Sequence, residues 1–173
     1  MRWTSFPGTV VMVAGLLGDQ QDSEGHPAAA DLVMRTNYNG PALYLLAAAR
    51  RLEAAGKGVI VGISSVAGDR GRGSNYVYGS AKAGFTALLS GMRNRLARKG
   101  VHVMTVKPGF VDTRMTRGMD LPKALTARPE EVAAAVVRGQ RRGADVIYTR
   151  PVWRLVMTVI RSIPEGVFKR LNL

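Results

Sequence analysis

The sequence predicts an α/β protein, a mostly parallel sheet doubly wound by helices, and three observations carry that prediction. Short, largely apolar runs such as residues 59–63 (VIVGI) and 101–106 (VHVMTV) read as strands buried on both faces. They alternate with longer segments of helical pattern, residues 27–55 and 76–99. Polar, chemically useful side chains gather just after a strand, where open α/β sheets bind ligands.

The elements follow in order. Residues 1–8 read as a leader or loose N-terminus ahead of the domain. Arg2 and the apolar run at residues 10–17 imitate a signal peptide, but the run is short and leads into Gly18-Asp19-Gln20. Residues 9–14 (TVVMVA) are therefore expected as a buried strand closed by Gly15, with GLLGDQQDSEG after it as a loop. Residues 27–55 are helical in pattern, Pro27 suiting a first turn, and Pro41 is expected to interrupt them at Asn37-Tyr38-Asn39-Gly40. The apolar run at residues 43–49 is expected to be buried on the sheet or at a subunit contact. Strand 59–65 leads through a Gly/Arg/Asn loop to a helix over residues 76–99, ended by Gly100, with Ala83, Ala87 and Gly91 as a small-residue face. Strand 101–106 is expected to break at Pro108-Gly109; a helix starts at Pro129, with Val132 and Val136 facing inward, and residues 145–148 form a last strand. Residues 9–150 thus make one domain. Residues 151–173 form a basic amphipathic tail, with Trp153, Met157, Ile160 and Ile163 on one side and Arg154, Thr158 and Arg161 on another. Such a tail lies on an anionic membrane or packs on its own domain or a partner subunit.

The chemistry centres on residues 59–82. Ser65 stands thirteen positions before Tyr78, and Lys82 lies one helical turn after Tyr78 on the same helix face. A free tyrosine, with a pKa of about 10, is a poor proton donor or acceptor at neutral pH, and a neighbouring ammonium favours the phenolate. With a serine hydroxyl to hold an oxygen nearby, the set suits general acid/base work at a carbon that gains or loses hydride.

SSVAG…YGSAK resembles the active-site segment of the short-chain dehydrogenases/reductases. TNYNGP at residues 36–41 and VKPGFVDTRM at residues 106–115 extend the resemblance, which covers residues 9–149. It implies a Rossmann-type sheet, NAD or NADP as cofactor, and interconversion of a carbonyl and a secondary alcohol. It implies Tyr78 as acid/base, Lys82 lowering its pKa and bonding the nicotinamide ribose, Ser65 orienting the substrate oxygen, and Asn37 holding a relay water. Cofactor contacts are implied for Ala14, Gly15, Tyr78, Lys82, Pro108, Gly109, Val111 and Thr113. The family strand ending Asn-Asn-Ala-Gly reads Met12-Val13-Ala14-Gly15 here. The tail and the GDQ loop are similar to reductases of polyprenylphosphoryl ketopentoses, such as decaprenylphosphoryl-2-ketoribose, which implies a lipid-linked, sugar-like ketone.

No glycine-rich phosphate turn precedes Val10, so the chain reads as N-terminally truncated by roughly 60–90 residues, with the choice between NAD and NADP unreadable. Alone it is expected to bind dinucleotide poorly and to expose strand 9–14 as an edge. The second reading is a catalytically dead fragment serving as a membrane-peripheral or protein-interaction module. Lys+Arg 25 against Asp+Glu 12, a net charge of +13, favours anionic partners. Nucleic acid is not expected, because the basic residues are scattered and not interleaved with aromatics. A small-molecule or lipid-linked substrate, a homo-oligomer and an anionic membrane surface are the expected partners. With no cysteine and with His26 and His102 far apart, no metal site is expected. No run approaches the ~20 apolar residues of a membrane helix, so the expected location is the cytoplasm, peripheral at the inner face of the membrane.

Overall fold

The computed structural model describes residues 7–171. Most of the expected leader, residues 1–6, and the last two residues of the tail lie outside the described residues.

Strand β1 (Thr9–Met12) is followed by α1 (Gln20–Gly25), α2 (Pro27–Met34), α3 (Gly40–Ala54) and β2 (Gly58–Ile63). Helix α4 (Tyr76–Leu96) leads to β3 (Val101–Pro108), β4 (Phe110–Val111), β5 (Thr126–Ala127), α5 (Pro129–Arg141) and β6 (Val146–Thr149). Helices α6 (Val152–Ser162) and α7 (Glu165–Phe168) close the described chain. The main sheet runs β1-β2-β3-β6 with every neighbour parallel, and β4 pairs with β5 in a small second sheet. On one face Leu45, Leu52, Phe85 and Leu89 from α3 and α4 cover Val10, Ile60, Val101 and Val103. On the other, Val136 of α5 packs over Val61, Met104, Val106 and Ile147. Helices on both faces make the sheet doubly wound, as the sequence predicts.

Several boundaries differ from expectation, each for a local reason. β1 ends at Met12, and Val11 and Val13 are exposed because β1 pairs only with β2 among the described residues. The expected loop contains α1, nucleated by Asp19, whose carboxylate accepts from Asp22 N at 2.8 Å. Pro41 does not break the helix. Residues Arg35–Asn39 form a π turn between α2 and α3, Gly40 stays helical, and Pro41, which has no N–H to lose, sits in the first turn of α3. The apolar run 43–49 is only half buried: Leu45, Ala48 and Ala49 face the core, while Leu43, Tyr44 and Leu46 are exposed. Pro108 ends β3 rather than breaking it, because it stands at the last position of a strand whose partner β6 also ends there. Arg93, in the last turn of α4, staples that helix to the sheet through Val103 O, Thr105 Oγ1 and Asp145 O.

The tail packs on its own domain. Trp153, Met157 and Phe168 are buried, and Trp153 meets Phe110 edge to face at 5.2 Å. Its indole N–H donates to Leu125 O at 3.0 Å. Leu155 and Val159 point the other way, into solvent. Among the described residues no helix is long and apolar enough to cross a membrane.

Candidate active site

The carboxyl ends of β1 and β2 meet the first two turns of α4, and the residues singled out from sequence converge there. Ser65 follows β2 and caps a single 3-10 turn, Val66–Gly68, its hydroxyl accepting from Ala67 N at 3.1 Å. Ser64 has a different task. Its hydroxyl bonds Lys82 O and Thr86 Oγ1, tying the strand end to α4. The N-terminus of α4 is held from outside the helix: Asn75 makes no capping bond, and Gln20 of α1 accepts from Val77 N at 3.2 Å.

Tyr78 is half-buried in the first turn of α4, and Ser65 is the side chain that acts on its hydroxyl. Burial pushes its phenol above the ordinary value, and Ser65 pulls the other way without overcoming it. The lowering expected from Lys82 is not what this geometry gives. The ammonium is 5.8 Å from the ring centroid and is itself only 2 % exposed, so burial drops it to about 8. Its Nζ donates to Ala14 O at 3.1 Å, just beyond β1, and to Ile63 O at 3.2 Å, at the end of the neighbouring β2. An ammonium has three donors, so one remains beyond these two bonds.

Asn37 is fully buried at the centre of the π turn. Its side chain accepts from Leu16 N and donates to Leu16 O at 2.6 Å and Val33 O at 2.8 Å. It therefore locks the segment leaving β1 against the helix. Gly15, in that segment, faces the same point. A Cβ there would lie 3.4 Å from Met115 Cε, 3.6 Å from Asn37 Oδ1 and 3.7 Å from Lys82 Nζ. The missing side chain leaves a small cradle beside the Lys82 ammonium, which fits a sugar hydroxyl of a dinucleotide. Ala14, Gly15, Asn37, Ser65, Tyr78 and Lys82 are thus brought together.

The other expected contacts continue from β3. Pro108 ends that strand, and Gly109 backs onto Trp153: a Cβ there would come within 2.0 Å of the indole. Val111 lies in β4, its carbonyl accepting from Thr116 Oγ1 at 2.7 Å, and exposed Thr113 opens the turn Arg114–Thr116. This segment brings Met115 over Gly15 and walls a cleft of ≈ 550 Å³ that includes Arg114, Arg117 and Lys123 beside Asp112 and Asp120. Sequence reasoning missed Met115, Gln20 and a buried pair, Asp69 and Lys107. A lone lysine in the apolar run VHVMTVKP was the available signal, because a buried charge requires a partner.

Comparison with known proteins agrees with the family resemblance and with this fold. The family model for short chain dehydrogenases matches residues 8–123. An uncharacterized oxidoreductase of Mycobacterium tuberculosis is 40% identical over 164 residues, 95% of this chain and 66% of that protein. One from Streptomyces coelicolor is 39% identical over 94% of this chain and 64% of its own length. An acetoacetyl-CoA reductase of Synechocystis is 32% identical, covering 73% of this chain and 57% of that protein. Among solved structures, a short chain dehydrogenase from Burkholderia cenocepacia in complex with NADP superposes with a TM-score of 0.82 at 26% identity, over 95% of this chain and 68% of that one. A 3-oxoacyl-[acyl-carrier protein] reductase from Brucella melitensis in complex with NAD gives 0.70 at 25% identity, over 85% and 67%. The chain therefore spans about two thirds of the length of its curated relatives. With a matching family model, matching relatives and the strand-end Ser65/Tyr78/Lys82 constellation, the chain belongs to the short chain dehydrogenase family.

Proposed function

We propose that this protein is an NAD(P)-dependent oxidoreductase interconverting a carbonyl and a secondary alcohol, with Tyr78 as acid/base. The observation that carries the reading is the meeting of Ser65, at the end of β2, with Tyr78 on α4, one helical turn from the buried Lys82 that bonds Ala14 O and Ile63 O. A bound nicotinamide supplies or accepts the hydride, and Lys82 and Gly15 are the residues that would hold its ribose. Everything else is proton and oxygen chemistry by this chain. Ser65 directs the substrate oxygen, and Tyr78, protonated at neutral pH, donates to that oxygen in the reductive direction. Lys82, cationic below about pH 8, stabilises the phenolate that results. Asn37 keeps the segment bearing Gly15 in place. Ketone-dependent loss of reduced-nicotinamide absorbance is the test. No such loss by the whole gene product with either NADH or NADPH, over a panel of ketones, removes the reading.

The substrate we propose is an anionic or lipid-linked, sugar-like ketone. The resemblance to polyprenylphosphoryl-ketopentose reductases supports it, as do Arg114, Arg117 and Lys123 lining the cleft of the segment that follows β4, and the net charge of +13. The exposed Leu155 and Val159, with Arg154 and Arg161 on the same helix, suit a contact with an anionic membrane surface. A phosphorylated ketone should be preferred over its neutral analogue, and Arg114→Gln with Arg117→Gln should erase the preference. A homo-oligomer is also proposed, through exposed Leu43 and Tyr44 of α3 and the exposed small face of α4 at Ala83, Ala87 and Gly91.

A further inference from the structure

The Ser65 turn is fixed at its far end by a buried charge cluster that the reaction chemistry does not use. Asp69 closes the turn that Ser65 opens. Its side chain is 3% exposed, and its two oxygens accept from two different strands: one from Lys107 Nζ near the end of β3, the other from the Tyr148 hydroxyl in β6 at 2.8 Å. The next residue, Arg70, reaches the opposite way. Its guanidinium donates to Ile160 O at 2.9 Å, Arg161 O at 3.2 Å and Ile163 O at 2.6 Å at the end of α6, pairs with Glu165 at 2.8 Å, and lies 3.8 Å over the Phe168 ring of α7.

The inner side of the turn has no slack. A Cβ on Gly68 would stand 2.7 Å from the backbone at Lys82 and Ala83, so the turn rests directly on the helix that carries Tyr78 and Lys82. A displacement of the turn therefore moves Ser65 relative to Tyr78. Buried ion pairs add little net stability, because desolvation offsets their attraction, and apolar groups of equal volume hold strand ends as well. What this pair adds is direction: two donors on two strands fix one carboxylate, and that carboxylate is four residues from Ser65.

We propose that Asp69 and Arg70 are positioning residues for Ser65, tying its turn to the ends of β3 and β6 and to the α6–α7 unit so that the hydroxyl keeps its register on Tyr78. The proposal rests on the oxidoreductase reading of Ser65 and Tyr78. It also gives the tail a task in the reaction that its burial alone does not.

The test compares the wild-type whole gene product with its Asp69→Asn/Lys107→Met form, which removes both charges at near-constant volume, and with its Arg70→Gln form, which leaves the buried cluster intact. Thermal unfolding, kcat and KM at saturating dinucleotide, and amide exchange at Ala67 and Gly68 are measured on each. Both variants should melt near wild type and keep the KM for dinucleotide. Their kcat should fall roughly 10- to 100-fold, as for an ångström-scale misplacement of a reacting group. Exchange at the turn should be about tenfold faster. Wild-type kcat and wild-type exchange in both variants overturn the proposal, as does a kcat loss that only follows a lowered melting temperature. Absence of NAD(P)H-dependent turnover in wild type defeats the oxidoreductase reading instead, and the exchange rates then decide by themselves whether these residues hold the turn.

Discussion

Lys82 is the residue whose environment makes the sharpest physical statement. An ammonium ordinarily titrates at 10.5 and here at about 8, because burial penalises the charged form. The unfolded chain therefore binds that proton more tightly than the native one. Stability rises with pH across the window from about 8 to 10.5, and the penalty is fully present below it. Relative to Lys82→Met, wild type should gain on the order of 2 kcal/mol between pH 7.5 and pH 9.5 in urea unfolding. A difference that stays flat with pH would mean the ammonium is not desolvated. The same burial was legible in part from sequence: the spacing of Tyr78 and Lys82 gave the shared helix face, but not the two strand-end carbonyls that hold the ammonium. Those carbonyls belong to Ala14 and Ile63, 68 and 19 positions away, and only the sheet brings them together.

At the scale of elements, the strands and long helices followed from periodicity, while junctions did not. Pro41 illustrates the reason. The rule that proline disfavours helix before it assumes regular geometry, and a π turn supplies another way through. Gly109 shows a different gap, since its lack of a side chain serves Trp153, 44 positions on, a contact no local pattern encodes. Gly109→Ala should accordingly lower stability by about 1–3 kcal/mol through overpacking, read as a drop in melting temperature. An unchanged melting temperature would place Trp153 elsewhere. The open side of β1 makes a second prediction. Val11 and Val13 are 47% and 71% exposed, and an apolar free edge promotes pairing with another chain. Val11→Lys should reduce self-association of this chain in light scattering without lowering helix content.

For the whole molecule, the doubly wound parallel sheet places Ser65, Tyr78 and Lys82 beside strand ends, where the order of strand, serine, loop and Tyr/Lys helix in the sequence leads one to expect them. The tail's fate was left open between a membrane, a partner and its own domain. Burial of Trp153, Met157 and Phe168 answers for its inner side, and Leu155 and Val159 keep an outer one. The two-helix face of α3 and α4 carries the oligomer proposal. Leu43→Glu with Ala87→Glu should shift the protein toward monomer in sedimentation, and an unmoved distribution would locate the contact elsewhere. The central claim is that Tyr78 is the proton donor of an NAD(P)-dependent carbonyl reduction. It is tested most directly by comparing ketone turnover of the whole gene product with that of its Tyr78→Phe form, which loses only the phenolic oxygen. The account predicts a fall in kcat of at least about 100-fold, with folding and dinucleotide affinity retained. Undiminished turnover by Tyr78→Phe would contradict it.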